Sequence, residues 1–191
     1  MSETAEIRWH GRGGQGTVTA AKVFADACLS SGRYVQAFPE YGPERAGAPL
    51  QAYNRISAKE LRMHCPVLRP DIVVIVDPTL LDGIDVTAGA GPETAFLINA
   101  GKNSDAVKNK LKLTAGQKIY AVDGSKIAKD TIGRALPNSP MVGALAKISG
   151  LVDLTTVTED VAKSFGKKFP PKIVDGNRDA VKKGWEEVRE I

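Results

Sequence analysis

Short apolar runs recur along the sequence, and the segments between them carry apolar residues at helical spacing. The clearest run is DIVVIVD at residues 71–77, in which nearly every side chain is apolar rather than every second one. Such continuous runs are typical of strands that are buried on both faces of a sheet. Further runs of strand character lie at residues 6–10, 33–39, 50–57, 95–100 and 118–124. The alternation predicts an α/β fold with a Rossmann-like, mostly parallel sheet flanked by helices.

After residue 124 the strand signals fade and helical spacing dominates. Segments of this kind, punctuated by prolines, lie at residues 125–135, 140–150, 158–169 and 179–191,. We therefore expect a helical C-terminal part. The chain divides into a Rossmann-like domain at residues 1–165 and a C-terminal arm with a last amphipathic helix at residues 166–191. The sequence leaves open whether this arm packs on a partner or on its own domain.

A glycine-rich stretch, HGRGGQGT, lies between the first strand run and the first predicted helix. Its glycines are Gly11, Gly13, Gly14 and Gly16. Glycine at this density marks a positive φ or the close approach of a ligand or another chain. The helix is expected to begin near Thr17 and to stop at Gly32. Backbone N–H groups of such a loop, together with the positive end of a helix dipole, favour a phosphate or a carboxylate.

Two observations argue against a dinucleotide or a nucleoside triphosphate as the ligand. A Rossmann site places an acidic residue for the ribose at the end of the second strand, and the nearest candidate, Glu40, falls in a turn-rich loop. The sequence also has no GKS or GKT after the glycines,. The prediction is therefore a phosphate-binding loop of another kind.

Two later loops supply further candidates. Residues 40–49, EYGPERAGAP, include Arg45, whose guanidinium can bind a phosphate or a carboxylate through two parallel hydrogen bonds,. The alternative is a surface salt bridge between Arg45 and Glu44 or Glu40. In residues 135–147, ALPNSPMVGALAK, Asn138 and Ser139 stand at a predicted helix start, where N-capping alone would explain either of them.

Three other residues have a functional and a structural interpretation. His10 either touches a phosphate or satisfies local groups at the end of the first strand. Asp77 follows the best strand at the edge where α/β sheets bind ligands, although a carboxylate before Pro78 and Thr79 more often caps the next turn. Cys28 is expected to be core packing on the first helix. We assign no catalytic residue.

Charge and cysteine content narrow the class of partner. A formal net charge of +4 and a pI near 9.0 suit an anionic small molecule or an acidic neighbour, but are too weak to indicate nucleic acid,. The two cysteines have no CxxC spacing, so we expect no metal or iron-sulfur site on this chain,. No apolar run of about 18 residues indicates a membrane span, and no export signal is evident. A cytoplasmic location is expected.

The stretches HGRGGQGTVTAAK, FPEYGPERAGAP and LPNSPMVGALAK, with DIVVIVDPTLL between them, resemble the gamma subunit of the 2-oxoacid:acceptor oxidoreductases. The best-known of these enzymes are the pyruvate:ferredoxin oxidoreductases. The resemblance implies oxidative decarboxylation of a 2-oxoacid on thiamine diphosphate with Mg²⁺, electron transfer through [4Fe-4S] clusters and release of an acyl-coenzyme A. It places the thiamine and the clusters on alpha, beta and delta subunits, with ferredoxin as the acceptor, or NAD through an added flavin subunit.

The resemblance also implies roles for residues of this chain. Its gamma part assembles the complex and receives coenzyme A through the glycine loop, which carries onto Gln15, Gly16 and Thr17, and further onto Arg45 and Asn138. One departure is Ala46, where many members carry a second large or basic residue. The 2-oxoacid stays open among pyruvate, 2-oxoglutarate, branched, indolepyruvate and aryl glyoxylate substrates. The alternative function is a free-standing Rossmann-type protein that binds a nucleotide or another small molecule.

Overall fold

A computed structural model describes residues 3–40, 47–63, 65–101 and 104–191. The strands are β1 (Thr4–Arg12), β2 (Tyr34–Glu40), β3 (Pro49–Ser57), β4 (Ile72–Ile75), β5 (Ala95–Asn99), β6 (Lys118–Val122) and β7 (Arg189–Glu190). The helices are α1 (Thr17–Ser30), α2 (Ser104–Lys110), α3 (Gly124–Ile132), α4 (Asn138–Ser149), α5 (Leu154–Gly166) and α6 (Pro171–Glu187), with a 3-10 helix at Pro78–Asp82. Within these residues, no helix has both the length and the apolar character that crossing a membrane requires.

The described strands form one sheet in the order β2-β3-β1-β4-β5-β6-β7. β1, β4, β5 and β6 are parallel neighbours, whereas β3 pairs antiparallel with both β1 and β2, and β7 pairs antiparallel with β6. The predicted class, a Rossmann-like and mostly parallel sheet flanked by helices, is confirmed. The reversal at β3 follows from chain length, because residues 41–48 are fewer than the roughly dozen that a parallel crossover requires.

Helices on one face of the sheet enclose the larger apolar core. Trp9 on β1 is fully buried there, and its indole Nε1 donates to Asn54 Oδ1 at 2.8 Å. The amide of Asn54 donates in turn to the backbone oxygen of Ala21 on α1 at 2.9 Å. Cys28 is buried in this core, as expected, and burial raises the pKa of its thiol to about 12.

The last helix, α6, packs on helix α4 of the same domain. Val181 is fully buried in the larger core. Two glycines allow the backbones to approach closely: a Cβ on Gly143 would lie 2.0 Å from the Val181 oxygen, and one on Gly184 would lie 2.1 Å from the Pro140 oxygen. Contact of the arm, residues 166–191, with another subunit stays a prediction.

Candidate functional site

The glycine loop lies at the carboxyl ends of β1 and β4. From β1 the chain turns through α1 towards β2 and β3 on one side of the sheet, whereas β4, β5 and β6 continue on the other side. Open α/β sheets bind ligands at such a reversal of strand order. We use the name switch crevice for the loop of residues 12–17 together with Asp77, Thr79 and Asn138.

Each glycine of the loop has a different structural task. Gly11 is part of β1, and a Cβ there would lie 2.0 Å from Thr17 Oγ1, so the start of α1 approaches the strand too closely for any side chain. Gly13 uses both backbone groups, because its N–H donates to the oxygen of Ala48 at 3.0 Å and its oxygen accepts from Gly47 at 3.1 Å. Only Gly14, at φ 93°, and Gly16, at φ 76°, adopt the left-handed conformation that favours glycine,.

No side chain caps the first turn of α1. The N-cap residue is Gly16, and the first turn contains no acidic residue. Among the described residues, the N–H groups of Gly14, Gly16 and Thr17 have no hydrogen-bond acceptor. Unpaired donors at the positive end of a helix dipole favour a phosphate oxygen.

The side chain of Thr17 points away from the open side of the loop. The residue is only 1% exposed, and its hydroxyl is buried against Gly11 with no hydrogen-bond partner. The part of Thr17 that is free to meet a ligand is therefore its backbone N–H rather than its hydroxyl.

Asp77 joins the loop to the neighbouring strand. Its Oδ2 accepts from Gln15 Nε2 at 2.7 Å and from Arg12 Nε at 3.0 Å. Its Oδ1 accepts from the backbone N of Thr79 at 2.9 Å and from the Thr79 hydroxyl at 2.7 Å. Burial alone would raise the pKa of this carboxyl, but the hydrogen bonds from Thr79 and Gln15 and the charge of Arg12 hold it below its ordinary value,.

Gln15 is engaged at both ends of its amide. In addition to the bond with Asp77, its Oε1 accepts from the backbone N of Arg12 at 2.8 Å. Arg12 also donates to Thr79 Oγ1, at 3.1 Å from Nη2, and to the oxygen of Gly47, at 3.2 Å from Nη1. The side chain of Gln15 therefore holds the loop together. The side chain of Arg12 lies at the crevice and is 32% exposed.

Asn138 contributes from α4. A Cβ on Gly16 would lie 3.0 Å from Asn138 Nδ2, so the asparagine side chain packs directly on the left-handed glycine. The capping interpretation of Asn138 and Ser139 is wrong, because Pro137 occupies the N-cap and no side chain caps this helix. Ser139 donates instead to Asn177 Oδ1 on α6 at 2.6 Å. No protein hydrogen bond involves the Asn138 amide within the described residues.

The ribose site of a dinucleotide-binding fold is not formed by Glu40. The expected placement of Glu40 in a loop is wrong, because this residue ends the second strand, β2. However, β3 separates β2 from β1, and the Glu40 carboxylate accepts from the hydroxyl of Tyr53. Burial, with the hydrogen bond to Glu40, raises the pKa of Tyr53. Arg45, Glu44 and Ala46 lie outside the described residues.

His10 contacts an arginine rather than the loop backbone. Its Nε2 accepts from Arg8 Nε at 3.1 Å, and both residues are buried. Burial and the neighbouring charge of Arg8 lower the pKa of His10 to about 3, so the ring is neutral at physiological pH,. Within the part of the chain that the structure describes, no group of three His, Cys, Asp or Glu side chains is arranged to hold a metal ion.

Sequence reasoning missed Arg12 and underestimated Asp77. Capping of the turn at Thr79 by Asp77 is confirmed, but the same carboxylate also binds Gln15 and Arg12. The available signal was the position of Asp77 at the carboxyl end of a buried strand beside β1, at the edge where the loop also lies.

Comparison with known proteins identifies the class. The chain matches the family described as pyruvate ferredoxin/flavodoxin oxidoreductase over residues 6–187. It therefore belongs to that family, and the resemblance to its gamma subunits is confirmed.

Individual relatives agree over nearly the whole chain. The pyruvate synthase subunit PorC of Thermotoga maritima is 44% identical over 184 residues, which cover 96% of this chain and 94% of the relative. The common subunit gamma of the pyruvate/ketoisovalerate oxidoreductases of Pyrococcus furiosus is 42% identical over 178 residues, 93% of this chain and 96% of the relative. The crystal structure of the Thermotoga maritima subunit superposes with a TM-score of 0.86 at 40% identity, covering 99% of both chains.

Proposed function

We propose that this chain is the gamma subunit of a multi-subunit 2-oxoacid:acceptor oxidoreductase and that its switch crevice receives the phosphates of coenzyme A. The observation that carries the proposal is the start of α1, which no side chain caps: the N–H groups of Gly14, Gly16 and Thr17 have no acceptor within the described residues, and the amide of Asn138 packs on Gly16 beside them. A phosphate is bound by several such donors. The carboxylate of the crevice, Asp77, is already engaged by donors from Gln15, Arg12 and Thr79. Arg12 adds a cation at the same edge of the sheet.

Family membership supports the choice of coenzyme A over other phosphate ligands. The relatives named above are subunits of pyruvate synthase and of pyruvate/ketoisovalerate oxidoreductases. An enzyme that releases an acyl-coenzyme A must bind the phosphates of that cofactor, and the net charge of +4 suits an anionic ligand,. Pyruvate is the first 2-oxoacid to assay, and ferredoxin or NAD through a flavin subunit are the proposed acceptors.

The described residues do not fit the redox cofactors of such an enzyme. Cys28 is buried in the apolar core, and Cys65 is exposed with its sulfur accepting from Arg55 Nη2 at 3.5 Å. The described residues bring together no set of metal ligands. We therefore place the [4Fe-4S] clusters and Mg²⁺ on partner subunits. On the family resemblance we place thiamine diphosphate there as well, with alpha, beta and delta subunits as the partners, and we propose a cytoplasmic complex.

The assembly part of the proposal is tested with the chain alone and with its complex. The isolated chain is expected to show no oxidation of pyruvate with coenzyme A and a viologen dye, because it carries no complete active site. Co-purification with further polypeptides that show cluster absorbance supports the subunit function. Turnover by the lone chain contradicts it, and a stable monomer that binds a nucleotide and joins no complex favours a free-standing binding protein.

The coenzyme A part is tested in the assembled enzyme with Asn138→Ala. Loss of a hydrogen bond to a charged phosphate is expected to raise the KM for coenzyme A about tenfold. The KM for pyruvate should stay unchanged. Asn109→Ala on the exposed surface of α2 is the matched control, since it removes the same amide away from the crevice. A normal KM for coenzyme A in a well-assembled Asn138→Ala enzyme contradicts the proposal. Arg45→Ala is expected to raise the same KM about tenfold.

A further inference from the structure

Both ends of the Gln15 amide are engaged within the protein, each by one hydrogen bond. Its oxygen accepts from the backbone of Arg12, and its nitrogen donates to Asp77 Oδ2 at 2.7 Å. The first bond closes the loop on itself, and the second ties the loop to the residue that follows β4. The side chain that the family resemblance assigns to coenzyme A is thus already used to fix the conformation of the loop.

We propose that Asp77 is a positioning residue for the phosphate-binding loop and that it acts through Gln15 and Arg12. The inference rests on the proposed function of the crevice and deepens it: the ligand is met by backbone N–H groups whose directions Asp77 fixes. Gln15 has the same positioning role, and it is not a direct ligand of the phosphate.

The geometry explains why a carboxylate is needed at this position. Four donors converge on its two oxygens: Gln15 Nε2 and Arg12 Nε on Oδ2, and the backbone N and hydroxyl of Thr79 on Oδ1. An asparagine has one acceptor oxygen, so in either orientation its NH₂ group would face two donors. Asp77→Asn therefore keeps the shape of the side chain but breaks half of the network.

The loop needs such a restraint because of its composition. Gly14 and Gly16 have left-handed φ angles, which glycine adopts freely but from which it also departs freely,. A ligand that must first order a mobile loop binds less tightly than one that meets an ordered loop. Asp77 orders the loop before the ligand arrives, by fixing both Arg12 and Gln15 to the end of β4.

The chain offers a matched control for the turn that Asp77 also caps. Asp85 accepts from the backbone N of Thr87 at 2.9 Å and from its hydroxyl at 2.6 Å, the same arrangement that Asp77 makes with Thr79. Within the described residues, none of the hydrogen bonds of Asp85 involves the glycine loop. Both bonds use Oδ1 of Asp85, so Asp85→Asn makes the same chemical change at an equivalent turn while it keeps the acceptor oxygen and touches none of the loop's hydrogen bonds,.

The test is a double-mutant cycle in the assembled enzyme with Asp77→Asn, Gln15→Ala and the double variant. Each single substitution is expected to raise the KM for coenzyme A about tenfold, and the double variant should add little to this, since both remove one restraint. The KM for pyruvate should not change. Turnover with pantetheine, the thiol fragment of coenzyme A without its phosphates, should be unaffected, whereas a general structural defect would lower it. Asp85→Asn is expected to behave as the wild type.

Additive effects, with the double variant near a hundredfold, would overturn the inference, because Gln15 would then contact the ligand independently. A normal KM in Asp77→Asn would also overturn it. Either result can be distinguished from failure of the proposed function. If the proposed function fails, Asn138→Ala has no effect on the KM for coenzyme A, and the wild type does not prefer coenzyme A to pantetheine.

A second measurement serves if Asp77→Asn does not assemble. Gln15→Met in the full-length chain, without ligand, is expected to speed amide hydrogen exchange at residues 13 and 15, whose N–H groups donate to the oxygens of Ala48 and Arg12, because the loop has lost its link to Asp77,. Unchanged exchange in this variant would overturn the positioning role, since a residue that only contacts the ligand has no effect on the free loop.

Discussion

The buried pair of Arg8 and His10 makes the fold sensitive to acid in a way that one substitution can isolate. Arg8 Nη2 donates to the backbone oxygens of Val86 and Ala88 at 3.0 and 2.7 Å, and its Nε donates to His10. The pKa of His10 is lowered from 6.5 to about 3 by burial and by Arg8, against a smaller opposing effect of Asp85. Protonation of His10 in the folded chain would place a second positive charge beside a buried guanidinium.

The sign of the effect follows from proton linkage. Between pH 6.5 and about 3 the unfolded chain binds a proton at His10 and the folded chain does not. The contribution of His10 to the free energy of unfolding is therefore fully present above pH 6.5. It is lost as the pH falls, by about 1.4 kcal/mol per pH unit. From pH 7 to pH 4.5 the loss due to this residue is about 2–3 kcal/mol.

His10→Gln removes this titration while it leaves an acceptor for Arg8. The free energy of unfolding is measured in urea at pH 7 and pH 4.5, with the fluorescence of the buried Trp9 as the signal,. The wild type should lose about 2–3 kcal/mol more than the variant over this interval. All other titratable groups are shared, so their contributions cancel in the difference. Parallel losses in the two proteins would refute the assigned environment of His10.

Two further substitutions test the packing. Asn54→Ala should lower the free energy of unfolding by about 2–4 kcal/mol, because it leaves the indole N–H of Trp9 buried without an acceptor and opens a cavity,; a loss below about 1 kcal/mol would contradict this. Gly184→Ala should lower the free energy of unfolding by about 1–3 kcal/mol although alanine favours helix, because its Cβ would lie 2.1 Å from the Pro140 oxygen,. The control Gly166→Ala, which has open space around it, should be neutral or stabilising,.

The sequence predicted most of the fold because hydrophobic periodicity depends on neighbouring residues alone. The continuous run at residues 71–77 and the helix start at Thr17 both agree with the structure. The last helix was placed too late, at 179–191, whereas it begins at Pro171 and ends at Glu187. The final strand β7, Arg189–Glu190, was missed, because two exposed residues at the sheet edge carry no apolar pattern.

The candidate site was predictable only in its local part. The loop and its helix could be recognised because strand, glycines and helix are consecutive in the chain. The partners that fix the loop are far away in sequence: Asp77 lies 62 positions beyond Gln15 and meets it only because β4 pairs with β1. The capping interpretation of Asn138 failed for a different reason, since the preceding proline occupies the N-cap and leaves the amide free to lie against Gly16.

The glycines of the loop show how one sequence pattern combines unrelated physical requirements. Gly11 is required by close packing against the Thr17 hydroxyl, and Gly13 extends the ladder between β1 and the segment before β3. Gly14 and Gly16 are required by their positive φ angles. Only the last two requirements concern residues whose own N–H groups have no acceptor within the described residues,. A side chain at Gly11 would therefore displace the start of α1 from β1, whereas a side chain at Gly16 would strain the loop and displace Asn138 from the crevice.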